Sequence, residues 1–309
     1  MAAVLTSTLF APPLFAVVQV INGADVVGGD ANFQASGVDF QTDNKLTVQN
    51  TENIGNTAGD SVTASGGPSV GTLQFDGTSS VSGNITSAGN ILKLITINGG
   101  AVTTSGHISA TTVNFAADGS LSIANTKTLT SNVTTSTNNT GKLTFAGNGT
   151  MTGTIGTTGG NKLKIVELAG ANTLNTSGDI NATSFNFLAN GVLNVAAGKN
   201  INGEVHSPAG GGGTVNFAGS STSGGDLGSV SKLTAVNMNG GTFSLGHDIY
   251  ATTTTVAANA TLTPTQNNKT VYNNLVLNGT LNLASNTLNV VGVYSQNNKS
   301  DLNITVTGG

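Results

Sequence analysis

Three stretches of this chain are variants of one another. Thr103 to Phe115 reads TTSGHISATTVNF, Asn175 to Phe187 reads NTSGDINATSFNF, and Phe243 to Val256 reads FSLGHDIYATTTTV, which is longer by one position. Gly106, Gly178 and Gly246 follow one another at intervals of 72 (178 − 106) and 68 (246 − 178). Phe75, Phe145 and Phe217 keep the same beat at 70 and 72, and Lys127, Lys199 and Lys269 at 72 and 70. Self-similarity at a fixed long period restricts a chain to architectures that stack or array one unit.

The local pattern says what the unit is made of. Runs such as GTLQFDG, GKLTFAGNG and NNLVLNGTLNLASNTLNVVG alternate apolar and polar residues and close on Gly, Asn or Asp, and none has a helical period. A shorter beat of 20–22 runs inside the long one: Phe145, Ile165 and Phe187 are 20 and 22 apart, and Tyr250, Tyr272 and Tyr294 are 22 apart. Aromatics make up 5% of the 309 residues, too few to fill a broad globular core, whereas a long thin core of small aliphatics suits them.

These features predict an all-β fold, a right-handed parallel β-helix (β-solenoid) with imperfect repeats of about 70 residues, each three to four rungs long. A β-sandwich and a stack of β-prism-like units are the rival folds. At about 4.8 Å per coil, the full length gives roughly 14 coils and a rod on the order of 65 Å. Val113, Phe115, Phe185 and Phe187 are expected to point inward, and Phe75, Phe145 and Phe217 to share one inward face. Like residues stacked at that spacing predict Asn and Thr hydrogen-bond ladders. The organisation expected is an irregular cap or truncated start over residues 1–40, then a solenoid over 41–309 with long repeats at about 70–140, 141–213 and 214–274. The stretch 1–21 carries no charge; it lacks the positive segment of a secretory signal, and Pro12-Pro13 interrupts it as a membrane span. At the other end, LNITVTGG from Leu302 to Gly309 is a nearly uncharged, β-prone edge, which predicts end-to-end self-association if the chain is a fragment.

Chemistry is sparse in the sequence. There is no Cys, which excludes disulfides and thiolate metal sites, and no Arg or Trp. A net charge of −4 without a basic run argues against nucleic acid as a partner. His107 and His247 occupy the repeat position that Asp179 fills in the middle copy, so a polar corner explains them better than catalysis. Acidic residues are mostly single, with Asp39 and Asp43 the nearest thing to a pair, and the chain reads as no enzyme. Pro208 to Phe217, PAGGGGTVNF, lacks the Lys-Ser/Thr of a phosphate loop and reads as a corner loop. No catalytic, cofactor-binding or metal-ligating residue is assigned. Tyr250, Tyr272 and Tyr294 are the partner-binding candidates, because binding surfaces anchor on aromatics. Inward rings would make a core stack, the preferred reading, and outward rings a phenolic strip.

The texture of LKLITINGGAVTTSGHISATTVNFAADGSLSI, GKLTFAGNGTMTG, ATSFNFLANGVLNVAAGKNING and NNLVLNGTLNLASNTLNVVG resembles the passenger region of rickettsial outer-membrane autotransporters, the surface cell antigens of the outer membrane protein A and B type. The resemblance covers about Gly71 to Gly309. It implies a surface antigen on the extracellular face of the bacterial outer membrane, held there by a translocator barrel absent from this chain. It also implies adhesion to and entry into host cells, through a host surface protein or glycan. It brings no catalytic motif. The alternatives are a non-adhesive stalk or surface-layer coat, and a β-helical carbohydrate-active enzyme.

Overall fold

The computed structural model describes residues 19–23, 26–27, 37–55, 60–86, 90–229, 231–297 and 300–304. Among them every strand pairing is parallel, no helix occurs, and the strands wind into a β-solenoid of about 12 turns. At about 4.8 Å per coil the stacked part is on the order of 55 Å long. The coil count falls below the expected 14 partly because early coils are long: Leu46 stacks on Leu73, a separation of 27 (73 − 46).

Each coil has three faces. One coil runs from Val70–Phe75 on the first face through Ser79–Val81 on the second to Asn84–Ile85 on the third. The next coil lays Leu92–Ile97, Ala101–Thr104 and the start of Ile108–Phe115 on those strands in register. Strands of two to nine residues suffice because each backbone N–H and C=O pairs with the coil on either side.

Alternation fills the interior. On the first face Leu73, Ile95, Val113, Val133, Ile155, Ile180 and Ile201 stack coil upon coil. On the second, Leu121, Leu143, Val166, Phe185, Val205, Leu227, Ile249 and Val271 do so. All of these are buried, as are Phe115 and Phe187, so the inward positions expected from the pattern are correct. One expected rung marker is corrected. Phe145 stacks on Leu168 and then Phe187, while Ile165 aligns with Lys142 and Ser184 and is only half-buried.

The long repeat has a phase that its spacing alone does not reveal. Phe75, Phe145 and Phe217 are all buried in the core, but on three different faces. Phe75 belongs to the column Val48, Ile97, Phe115, Thr135 on the first face. Phe145 belongs to Ile123, Leu168, Phe187 on the second, and Phe217 to Val195, Met238, Val256 on the third. The expectation of a shared face is therefore corrected. Three coils of about 21 residues use 63, and a repeat of 70 to 72 leaves 7 to 9 over, enough for one more strand and corner. Each copy thus advances three coils and one face.

The repeat glycines follow the same rotation. Gly106 turns the second face into the third, Gly178 the third into the first, and Gly246 the first into the second. A Cβ on Gly106 would stand 2.2 Å from the Gly83 carbonyl oxygen, and one on Gly178 would stand 2.0 Å from that of Gly153. Close approach of the coil below demands glycine at both. At Gly246, whose copy is longer by one position, the nearest atom is the Thr265 hydroxyl at 3.4 Å.

Of the ladders expected from the composition, the Asn ladder is present. Asn194 donates its amide to Asn175 Oδ1, Asn216 to Asn194 and Asn237 to Asn216, each at 2.8 Å, along the outside of the third face. At the rod's end Asp301–Ile304 pairs with Thr280–Ala284, and the remainder of the expected open edge, Thr305–Gly309, lies outside the described residues, as does 1–18.

Two outcomes test this architecture. Phe145→Ala should destabilise the rod by about 3–5 kcal/mol in chemical denaturation, as expected for a fully buried ring. Deleting Gly141 to Gly212 sets Thr214–Phe217 on Ser120–Ile123, the repeat-equivalent of its native neighbour Val192–Val195. That shortened chain should still unfold cooperatively, with a hydrodynamic length reduced by roughly 16 Å. An aggregated or unfolded product would contradict the one-face rotation.

Candidate interaction surface

A recurring hydrogen bond explains many of the polar residues at the corners. The Asn148 N–H donates to Asn125 Oδ1 and the Thr173 N–H to Asn148 Oδ1, both at 2.8 Å, so each corner side chain accepts from the next coil's backbone. His107 is one of these relays. Its N–H donates to Asn84 Oδ1 at 2.8 Å, and its Nδ1 accepts from the Thr128 N–H at 3.1 Å, which fixes the neutral ring's proton on Nε2. Asp179 does the same work in the middle copy, accepting the Asn200 N–H at 2.8 Å. In the third copy the extra residue passes the role to Asp248, bonded to Asp226 below and to the Thr270 N–H above. His and Asp interchange at this position because both present an acceptor to a backbone donor.

Tyr250 and Tyr272 stack with centroids 4.2 Å apart and planes 11° from parallel. Their neighbours Ile249, Ala251 and Val271 are buried in the core, so both rings lie on the outside of the second face, half-buried. For these two the preferred inward reading is corrected, because alternation in these strands assigns the core to the aliphatics, whereas Tyr294 stands in the column of buried Leu275. Tyr294 does not join the stack. It pairs with Leu275 on the third face, and Val291 takes the place above Tyr272. The separation of that stacked pair is 19 (291 − 272), so a spacing of 22 overshoots the corner. Tyr294 is 39% exposed, and Val291 at 55% and Val293 at 61% are further exposed apolar residues of the last coils.

Asp39 and Asp43 do not act together. Burial pushes the Asp39 carboxyl up, but hydrogen bonds from the Ser65 and Thr63 hydroxyls, the Ser65 N–H and the Gln41 amide outweigh it and hold it below the usual carboxylate range. Asp43 pairs with Lys93. The carboxylates that do come together are Glu204, Asp226 and Asp248, at equivalent positions on three successive coils. Their spacing of 22 and 22 is the sequence signal that could have found them. Asp226 and Asp248 each spend an oxygen on the next coil's N–H, which makes them corner relays too. Among the described residues no group of three His, Asp or Glu side chains could hold a metal ion.

The glycine run forms the corner between the second and third faces, and Gly210, Gly211, Gly212 and Gly213 all have positive φ, from 84° to 136°. Beside it opens a polar cleft of about 590 Å³ lined by Asn190, Gly210 to Gly212, Ser231, Lys232, Thr234 and Thr252. Lys232, one of the lining residues, donates to Asn273 Oδ1 at 2.6 Å.

The tyrosine pair makes a pH-dependent prediction. The hydrogen bond with Tyr272, followed by burial and the charges of Tyr272, Asp248 and Asp226, pushes the Tyr250 phenol up to about 12. A folded-state value above the unfolded one means the pair's stabilisation is full below about pH 10 and is lost as pH rises towards 12. Ultraviolet titration should show a phenol ionising well above the usual tyrosine value of about 10, and Tyr272→Phe should bring that ionisation down towards it.

Comparison of the chain with protein-family models, curated proteins and solved structures gives no match in any of the three.

Proposed function

We propose that this chain is the passenger rod of a bacterial surface protein, a structural and adhesive antigen that attaches to host cells and takes part in their entry. The observation that carries this reading is the unbroken parallel stacking of coils along the described chain, with a polar exterior that includes an Asn ladder. A rod of that kind holds a contact surface away from the cell that bears it. The lack of Cys fits passage through an oxidising compartment in an unfolded form, where disulfides would obstruct transit. Coil-on-coil growth suits the same passage, since each coil templates the next. The autotransporter identity and the outer-membrane location rest on the sequence resemblance. In this reading the rod carries no enzymatic activity and no cofactor, and its partner is a host surface protein or glycan.

One observation favours the stalk or coat alternative. Val291, Val293, Tyr294 and Leu302 are the exposed large hydrophobics of the last coils, and apolar surface beside strand edges favours end-to-end stacking of rods.

Labelled rod added to host cells separates these readings. Saturable binding is the expected result, and replacing the outward pair by Tyr250→Ser and Tyr272→Ser should lower binding per folded molecule at a temperature where the variant stays folded. Non-saturable binding together with concentration-dependent association of the purified rod would instead assign the chain to a coat.

A further inference from the structure

The cleft beside the glycine corner is lined by an amide whose oxygen takes up its protein bonds and by an ammonium bonded to a neutral amide rather than a carboxylate. Asn190 Oδ1 accepts the Gly213 N–H and the Thr234 hydroxyl, both at 2.9 Å. Those two bonds fix the orientation of the amide, because an amide nitrogen could accept neither. The Asn190 amide nitrogen is therefore left as a donor at the cleft it lines. Lys232 is half-buried there, and its bonded partner is a neutral amide oxygen. Among the described residues no carboxylate pairs with it, whereas Lys93, Lys142 and Lys164 each have one. One ammonium and one amide donor thus meet hydroxyls from Thr234 and Thr252 in a single cleft.

The lining selects among ligand classes. Its volume lies in the range of small-molecule sites, about 300–1,000 Å³. Among the described residues no aromatic or long aliphatic side chain lines it, so their lining lacks the apolar anchor on which protein partners depend. A single cation without a helix N-terminus is a weak match for a phosphate dianion. Hydroxyls, an amide and one positive charge match a ligand rich in hydroxyls that carries one carboxylate per recognition unit.

We propose that this cleft binds a carboxylate-bearing saccharide, with the carboxylate on Lys232 Nζ and ring hydroxyls on Asn190, Thr234 and Thr252. The glycine corner leaves room for it: a Cβ on Gly210 would meet nothing within 4 Å, so the backbone wall there is open. Such binding goes beyond the adhesive reading and does not rest on it, since purified chain is titrated without cells.

The test is calorimetric titration of the chain with a hyaluronan tetrasaccharide, with chitotetraose as the neutral sugar and acetate as the bare carboxylate. The expected result is saturable binding of the acidic tetrasaccharide alone, weakened at least about tenfold in Lys232→Gln. Asn190→Asp keeps the oxygen that accepts from Gly213 and Thr234 but replaces the free donor by an acceptor. It should weaken binding at least as much, with unchanged thermal unfolding. Equal binding of chitotetraose, undiminished binding in Lys232→Gln, or no saturable heat up to about 10 mM of the acidic sugar would each overturn the proposal.

Discussion

The parallel hydrogen bond from one coil to the next governs everything else in this molecule. It fixes coils about 4.8 Å apart, so any residue must tolerate a neighbour at its own position above and below. Inside, that rule favours aliphatics that nest, such as the first-face column from Leu73 to Ile201. Outside, it favours side chains that donate to and accept from their own kind, and Asn does both, as Asn175, Asn194, Asn216 and Asn237 demonstrate. Charges stack poorly under the same rule, which gives a physical reason for a chain with 8% charged residues. Where Glu204, Asp226 and Asp248 break it, two of the three are tied to backbone N–H groups.

A second consequence concerns how the sequence repeats. A unit of three coils and one face can recur only if the three faces are near enough alike to exchange roles. The phenylalanines at 75, 145 and 217 show that they are, since each fills an inward position near a corner in a different column. The surface elements of successive copies consequently look out in three directions, so a flat partner cannot engage equivalent sites of adjacent repeats together. What one side of the rod presents is set by individual substitutions: the tyrosine pair lies in the third copy, and the glycine-corner cleft joins residues of the second and third.

Most of the scaffold is legible in the sequence. Alternation identifies Val113, Phe115, Phe185 and Phe187 as core, and the recurrence of glycine between copies marks the corners at Gly106 and Gly178. The departures share one cause, which is variable coil length. The separation of stacked partners runs from 18 (113 − 95) at Ile95 and Val113 to 27 (73 − 46) at Leu46 and Leu73. A fixed spacing therefore drifts off its column, which puts Ile165 and Tyr294 outside the columns their spacing suggests and hides the rotation of the long repeat. The tyrosines mislead for a different reason. A large ring looks like core material by type, but alternation around Ile249 and Ala251 already assigns the inward positions. The cleft is not legible, because its lining comes from four segments brought together only by winding: Asn190, the glycine run, Ser231 to Thr234, and Thr252.

The absence of native Cys allows a direct reading of which residues are stacked, because engineered pairs form disulfides only when their Cα atoms are about 4.4–6.8 Å apart. The decisive measurement is disulfide mapping of outward cysteine pairs around the first repeat. The account predicts that Thr96→Cys bonds with Asn114→Cys, and Ser122→Cys with Thr144→Cys, because these are register partners on the first and second faces. A bond between cysteines at 96 and 122 instead would place Phe75 and Phe145 on one face, and would contradict a repeat that turns by one face per copy.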